Sequence, residues 1–342
     1  MSHYDVYAIG NALVDTEYEV TEAQLAAAGV AKRHMTLMDA QRRTELLQCM
    51  QGVPSHRTGG GSAGNTVVAL AQLGGRAFYS CSVADDELGA FYTKDLAAHG
   101  VATNLTHTKP RAGQTGSCMV MVTPDAERSM STFLGASAEL DDSAVHEVAI
   151  AKSRVYYMEG YLAASPTGLA AALKGRQLAR EAGVALAATL SDMSMIQFCR
   201  PGLEAMVGNL QTDALDYLFC NEEEAQTWCG TQDLAIVCAQ LAQQSRVVCM
   251  TRSAKGCVVL QGAVRTEVPA ARVKAIDTNG AGDMFAGAFL YAVTKGQQGH
   301  SLAQAAWLAN QCAARVVTQY GNRLAQHAIH ELKADFARFL AV

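Results

Sequence analysis

In Asp277-Thr278-Asn279-Gly280-Ala281-Gly282-Asp283, a run of small residues leads into the apolar-periodic segment Met284-Phe285-Ala286-Gly287-Ala288-Phe289-Leu290. The periodicity predicts a helix over 283–295. The glycines let the chain turn tightly at its start, so the amides of Gly280, Ala281, Gly282 and Asp283 point out together at the positive helix end. Such a nest binds anions, and it would stabilise a phosphoryl group in transfer without reorganising. Asp283 stands beside it with the chemistry to accept the proton of an attacking hydroxyl. The alternative is that Asp283 only caps the helix, as Asp commonly does.

Three more clusters carry candidate chemistry. Thr58-Gly59-Gly60-Gly61-Ser62-Ala63-Gly64-Asn65 precedes a helix predicted over 64–73. Gly59, Gly61 and Gly64 fit the Gly-x-Gly-x-x-Gly dinucleotide fingerprint. That fingerprint must follow a buried strand, whereas Val53-Pro54-Ser55-His56-Arg57 is polar and Pro-broken, and no acid closes a second strand about 20 residues on. The loop either lets a polyhydroxylated ligand approach its backbone, with the Asn65 amide as donor and acceptor, or is a tight entry to a helix. Gly10-Asn11-Ala12-Leu13-Val14-Asp15 follows the first apolar run, which places Asn11 and Asp15 beyond a strand's carboxyl end, where open α/β sheets bind ligands. A carboxylate there suits paired sugar hydroxyls, or is an ordinary polar loop residue. Asn221-Glu222-Glu223-Glu224 again ends a strand and opens a helix. Its acids are dipole partners of the first turn or, with phosphates nearby, Glu224 holds water on Mg²⁺.

To position these groups the chain alternates short β-rich runs (4–10, 78–83, 154–158, 184–190, 217–220, 246–251) with helical patterns (64–73, 167–182, 233–244, 283–295, 301–319). That rhythm predicts a parallel sheet with helices on its faces, and periodicity does not choose between an open sheet and a barrel. The rhythm breaks at 116–133. Two strands, 117–122 and 129–133, are joined there by Thr123-Pro124-Asp125-Ala126-Glu127, whose Pro-Asp supplies the turn chemistry of a hairpin. Extended character recurs at 12–20 and 35–38, so these pieces form a small second sheet, as a lid or as an edge extension.

The 342 residues are 50% hydrophobic and 17% charged, which supports a large aliphatic core and excludes disorder as the main state. Lys+Arg 27 against Asp+Glu 32 leaves a net charge of −5 with no run of one sign, so neither nucleic acid nor a membrane surface is an expected partner. A small molecule is. No secretory leader or apolar span is apparent, and a cytoplasmic location is expected. The ten cysteines are dispersed with no Cys-x-x-Cys, and Cys220 and Cys249 sit in apolar runs as core residues. His327 and His330 form no zinc motif, and no Gly-x-x-x-x-Gly-Lys-Ser/Thr is present.

Taken together, the motifs resemble those of one family. The segment 277–283 is similar to the second signature of the ribokinase-like (PfkB) carbohydrate kinases, Gly60-Gly61-Ser62-Ala63-Gly64-Asn65 to the first, and Asn221 to Glu224 to the family's Asn-x-x-Glu magnesium motif. The motifs stand in the family's order from about residue 5 to residue 321. The three residues between Asn11 and Asp15, and Gly116-Ser117-Cys118 followed by Arg128-Ser129-Met130, resemble the adenosine kinase-like branch. The resemblance implies one kinase domain over 1–342: a three-layer α/β/α sandwich with a mostly parallel central sheet, and a small β-sheet lid formed by about 12–38 and 112–136. It implies transfer of the ATP γ-phosphoryl group, with Mg²⁺, to the 5′-hydroxyl of a nucleoside, adenosine before inosine or guanosine. A free-sugar kinase is the alternative, and a non-catalytic nucleoside binder a remote one.

By the same resemblance Asp283 is the base and Gly280, Ala281 and Gly282 the anion hole. Asn11, Asp15, Gly60, Gly61, Ser62, Asn65, Met119 and Arg128 meet the acceptor, Arg128 also reaching the phosphoryl groups. Asn221, Thr251, Ser253, Gly256 and Asn310 meet the nucleotide, Asn310 beside the base. Glu224 serves Mg²⁺ through water, and Asp277 a monovalent cation such as K⁺. Ser253 stands where many members have Gly, and Ser62-Ala63-Gly64 departs from the Thr-Gln of animal adenosine kinases. Monomer and homodimer are both expected possibilities.

Overall fold

The computed structural model describes residues 4–32, 35–125, 127–211, 213–295 and 300–341. The expectations for the extreme termini, for residues 33 and 34 of the lid and for Ala126 in the hairpin turn fall outside the described residues.

Fourteen strands among the described residues form two sheets. In chain order they are β1 (Tyr4–Ile9), β2 (Leu13–Glu19), β3 (Met35–Leu37), β4 (Ser55–Gly60), β5 (Ala77–Ser80), β6 (Ala102–Thr103), β7 (Ser117–Val122), β8 (Arg128–Phe133), β9 (Ser153–Met158), β10 (Ala185–Thr189), β11 (Leu215–Asn221), β12 (Ser245–Thr251), β13 (Cys257–Gln261) and β14 (Val264–Val268). The nine-stranded sheet runs β14-β13-β12-β11-β10-β9-β1-β5-β6 and is parallel from β12 to β6. The antiparallel pairs β12–β13 and β13–β14 finish one edge. The sheet is open, which decides the question periodicity left. From β1 the chain builds outward to β5 and β6, then returns to lay β9 on the other side of β1. That reversal is a switch point, and the crevice above it is where such sheets bind ligands.

Alternation along β1 sorts the core. Val6 and Ala8 face the helices Ser62–Gln72, Ala281–Thr294 and Leu302–Val316, while Tyr7 and Ile9 face Pro166–Glu181 and Arg200–Val207. Two apolar layers therefore flank one sheet, in three-layer α/β/α architecture. The predicted core strands and helices are present with ends shifted by a few residues, as at Leu302–Val316, which stops short of position 319.

The second sheet, β3-β8-β7-β2-β4, contains the predicted hairpin β7–β8 and both other predicted lid strands. It also contains a strand the sequence did not suggest. Ser55–Gly60 pairs antiparallel with β2 despite its polar, Pro-preceded start, because its residues up to Arg57 are exposed and need no apolar face. It still offers no dinucleotide fingerprint, since it lies in the small second sheet and not in the buried parallel sheet. The helices Glu22–Ala27 and Ala40–Cys49 cover the outer face of this sheet around Tyr18, Leu25, Leu46, Met119 and Met121.

Candidate active site

The helix carrying the most informative motif begins at Ala281, with Gly280 as its cap at φ 72°. A side chain at Gly280 would press on Asn322 and take a left-handed backbone, so only glycine fits easily. The helix thus starts two residues earlier than expected, which puts Asp283 in its first turn and not at the cap position. Its bonds go across to another helix. Ser62 Oγ donates to Asp283 Oδ1 (2.6 Å) and Asn65 Nδ2 donates to Oδ2 (3.0 Å). Ser62 and Asn65 are three apart in Ser62–Gln72, so one helix face presents both donors. Burial pushes the Asp283 carboxyl up to about 6, while those two bonds and the charge of Arg323 pull against it. Asn65 Oδ1 is buried with no partner, a spare acceptor at the same spot.

Gly61 turns the chain from β4 into that helix at φ 84°, where a side chain would overlap the Asn11 carbonyl. Beneath this contact lies Glu159, fully buried just after β9. It accepts from the amides of Asn11 (2.9 Å) and Ala63 (2.8 Å) and so clasps the loop after β1 to the helix entry. Burial raises its carboxyl to about 7. Sequence reasoning missed Glu159; the available signal was a lone acid closing the apolar run Val155-Tyr156-Tyr157-Met158.

Asp15 lies on β2 opposite Thr58 of β4 and Cys118 of β7. Both its carboxylate oxygens pack on Gly60, where any side chain would collide with them. Burial lifts Asp15 to about 7; Arg323 and Arg128 lower it, and Glu17 and Asp283 raise it. The register corrects one expectation. Met119 pairs with Thr16 and sits 2% exposed in the cluster under the lid's outer helices, so it turns away from the Asp15 face. Cys118, on the Asp15 side, is the lid residue facing inward, because adjacent strand residues take opposite faces.

Arg128 Nη2 donates to Glu17 Oε1 (2.8 Å) and pairs with Asp277 Oδ2 (3.0 Å), joining lid to core, while its Nε and Nη1 stay buried and unpartnered. Asp277 also accepts from the amides of Asn279 (3.0 Å) and Gly321 (3.2 Å). The Arg128 guanidinium against Oδ2 puts a positive charge beside this carboxylate, which does not fit a seat for a monovalent cation. A second arginine that sequence reasoning missed, Arg323, donates to the Gly59 carbonyl (2.7 Å).

A cavity of about 660 Å³ runs from Ser62, Gly282 and Asp283 past Asn221 and Glu224 to Thr251, Ser253, Gly256 and Asn310. It brings Asp283 with Ala281 and Gly282 of the expected anion hole to one end and the expected nucleotide residues to the other, while Gly280 does not line it. Asn11, Asp15, Gly60, Gly61 and Asn65 lie beyond the Asp283 end and do not line it. Glu224 accepts from the Asn221 amide (3.0 Å) and from Asn221 Nδ2 (2.6 Å) as a capping box, and burial raises it to about 7. A buried carboxylate on the cavity wall, whose charged form a cation would favour, suits hydrated Mg²⁺, which prefers oxygen ligands and keeps its waters. Among the described residues no group of three or more His, Cys, Asp or Glu could hold a metal alone. Asn310 Nδ2 donates to the carbonyls of Val268 (2.9 Å) and Pro269 (3.3 Å), which fixes the cavity wall after β14. Ser253 holds φ 50°, left-handed backbone where a glycine is the easier residue.

The pfkB family carbohydrate kinase profile matches residues 29–328. The solved structure of adenosine kinase from Sinorhizobium meliloti superposes with TM-score 0.86 at 37% identity, covering 97% of this chain and 99% of that one. A probable sugar kinase protein from Rhizobium etli CFN 42 gives TM-score 0.88 at 35% identity, covering 98% and 100%. Among curated proteins, an adenosine kinase of Schizophyllum commune is 28% identical over 89% of this chain and 95% of its own length.

Proposed function

The chain belongs to the pfkB family of carbohydrate kinases, and we propose that within it this protein transfers the γ-phosphoryl group of ATP to the 5′-hydroxyl of adenosine, giving ADP and AMP. The observation that carries the reading is Asp283, held by Ser62 and Asn65 where the cavity meets the acceptor-side residues. ATP lies along the cavity with its adenine toward Asn310 and Gly256 and its γ-phosphate at the Ala281 helix end. Asp15 takes ribose hydroxyls, and Asn65 Oδ1 supplies a further acceptor. Asp283 removes the hydroxyl proton as the oxygen attacks phosphorus, the bond to the ADP oxygen breaks, and the amides of Gly280 to Gly282 take up the charge on the moving group. Glu224 and Asn221 would hold the waters of Mg²⁺, which neutralises phosphate charge when bound. The similarity to adenosine kinases supports a nucleoside acceptor, and the likeness to a probable sugar kinase supports the second reading, a free sugar.

The test is ADP release with ATP·Mg²⁺ against adenosine, inosine, guanosine, ribose and fructose, with AMP identified as product. Turnover with a sugar and with no nucleoside would replace the first reading by the second. Binding of adenosine without any ADP release would leave a binder.

A further inference from the structure

Arg323 belongs to no motif in the sequence and lies between the helices Leu302–Val316 and Gln326–Leu340. Its side chain is only 12% exposed. Nη2 donates to the Gly59 carbonyl (2.7 Å) and to Asp95 Oδ2 (3.2 Å) on the helix Glu87–Ala98, where Asp95 also faces His99 (3.6 Å). Nε and Nη1 are buried with no partner. The carbonyl it holds is one residue before Gly60, against which Asp15 packs, and three before Ser62, which holds Asp283. Its charge acts on both carboxylates.

Among the described residues Arg323 is the cation whose charge acts on Asp283. Ser62 and Asn65 are neutral donors from their helix. Glu159 after β9, Glu224 on Glu222–Cys229 and Asp15 on β2 are acids that feel the Asp283 charge, and Tyr157 and Tyr161 are neutral phenols whose ionisation it opposes. Asp15 is further faced by Glu17 and Arg128 within the lid. A core arginine in this acidic surround does more than tie a loop.

We propose that Arg323 is a positioning residue of the transfer: it fixes the turn from Gly59 to Ser62 on the core, on which the Asp15 and Asp283 contacts depend, and sets a buried positive charge in this acidic surround. The proposal rests on the kinase reading of the same site. Loss of the guanidinium leaves the base surrounded by acids, so the pH at which it begins to work must rise.

The experiment measures kcat and KM for adenosine with ATP·Mg²⁺ from pH 5 to 9, with melting temperatures, for the wild type, Arg323→Gln, Arg323→Lys and Asp95→Asn. Arg323→Gln is expected to move the acid limb of kcat up by about one pH unit and so to cut kcat at pH 6 about 5-fold, with the loss recovered by pH 9. Arg323→Lys, which keeps the charge, should leave the limb near its wild-type position. Asp95→Asn frees Arg323 of a competing anion and should move the limb the other way, which loosened packing does not do. An unmoved limb in Arg323→Gln overturns the proposal, however much the melting temperature falls. If that variant does not fold, a limb at or above the wild-type position in Asp95→Asn overturns it instead. An inactive wild type overturns the kinase reading itself.

Discussion

Asp283 combines two requirements that pull against each other. A general base works best with a pKa near the operating pH, and burial supplies that by raising its carboxyl to about 6. The same burial makes the charged form unfavourable in the folded state. A carboxyl raised on folding contributes stability below its unfolded value near 4, and that contribution disappears as pH rises through 6. Asp283→Asn removes both effects. Its kcat should fall about 10²–10⁴-fold, the range for loss of a general base, with adenosine affinity little changed. Its melting temperature relative to wild type should climb between pH 4 and pH 6 and then level off. A flat difference across that window, or near-normal turnover, would count against the base assignment. The identity of this residue was readable from the glycines before it; its partners Ser62 and Asn65, 221 and 218 residues away in the chain, were not.

At the scale of elements, register decides which side chains meet the site. β4 ends at Gly60 because the Asp15 carboxylate occupies the space a side chain would need. Gly60→Ala, at a position with no left-handed backbone, should therefore fold yet displace Asp15, raising KM for the acceptor about 10-fold or more with a smaller effect on KM for ATP. Steady-state kinetics with each substrate varied in turn distinguishes this from general damage. On β7 the alternation makes Met119 a packing residue under the outer helices. Met119→Ala should cost about 2–5 kcal/mol in denaturant unfolding, the usual range for a buried Met, and leave KM for adenosine nearly unchanged. A large KM change at unchanged stability would put Met119 back on the acceptor face. Its β-strand was legible from composition, but which face was buried depended on two helices, Glu22–Ala27 and Ala40–Cys49, that the sequence reading did not contain.

Over the whole molecule, the small second sheet and the core are joined by Arg128. It bonds Glu17 within the lid and Asp277 in the core, and its guanidinium lies 5.7 Å from the Tyr320 ring centroid. Closure of such a sheet excludes water from a phosphoryl group in transfer. Arg128→Gln removes the tie and should speed amide exchange along β7 and β8 without acceptor, and lower kcat with ATP and adenosine. Exchange rates equal to wild type would show that the lid is held by its strand pairing alone. Among the described residues no helix is long and apolar enough to cross a membrane.

The sequence by itself determined the βα rhythm, the hairpin that interrupts it, and the glycine turns that open two helices, because these depend on local periodicity and on the few residues that tolerate tight backbone. It also singled out Ser62, Asn221, Glu224, Thr251, Ser253, Gly256, Asp283 and Asn310, which line the cavity, since loops at the carboxyl ends of parallel strands gather in one crevice whatever their separation along the chain. Only the tertiary structure decided the strand status of Ser55–Gly60, the outward face of Met119 and the engagement of Asp277 by Arg128. It alone brought Glu159 and Arg323 to the site. Both are single charged residues without a motif, and what a lone charge does is fixed by the burial and neighbours it acquires when the chain folds, which no local pattern encodes.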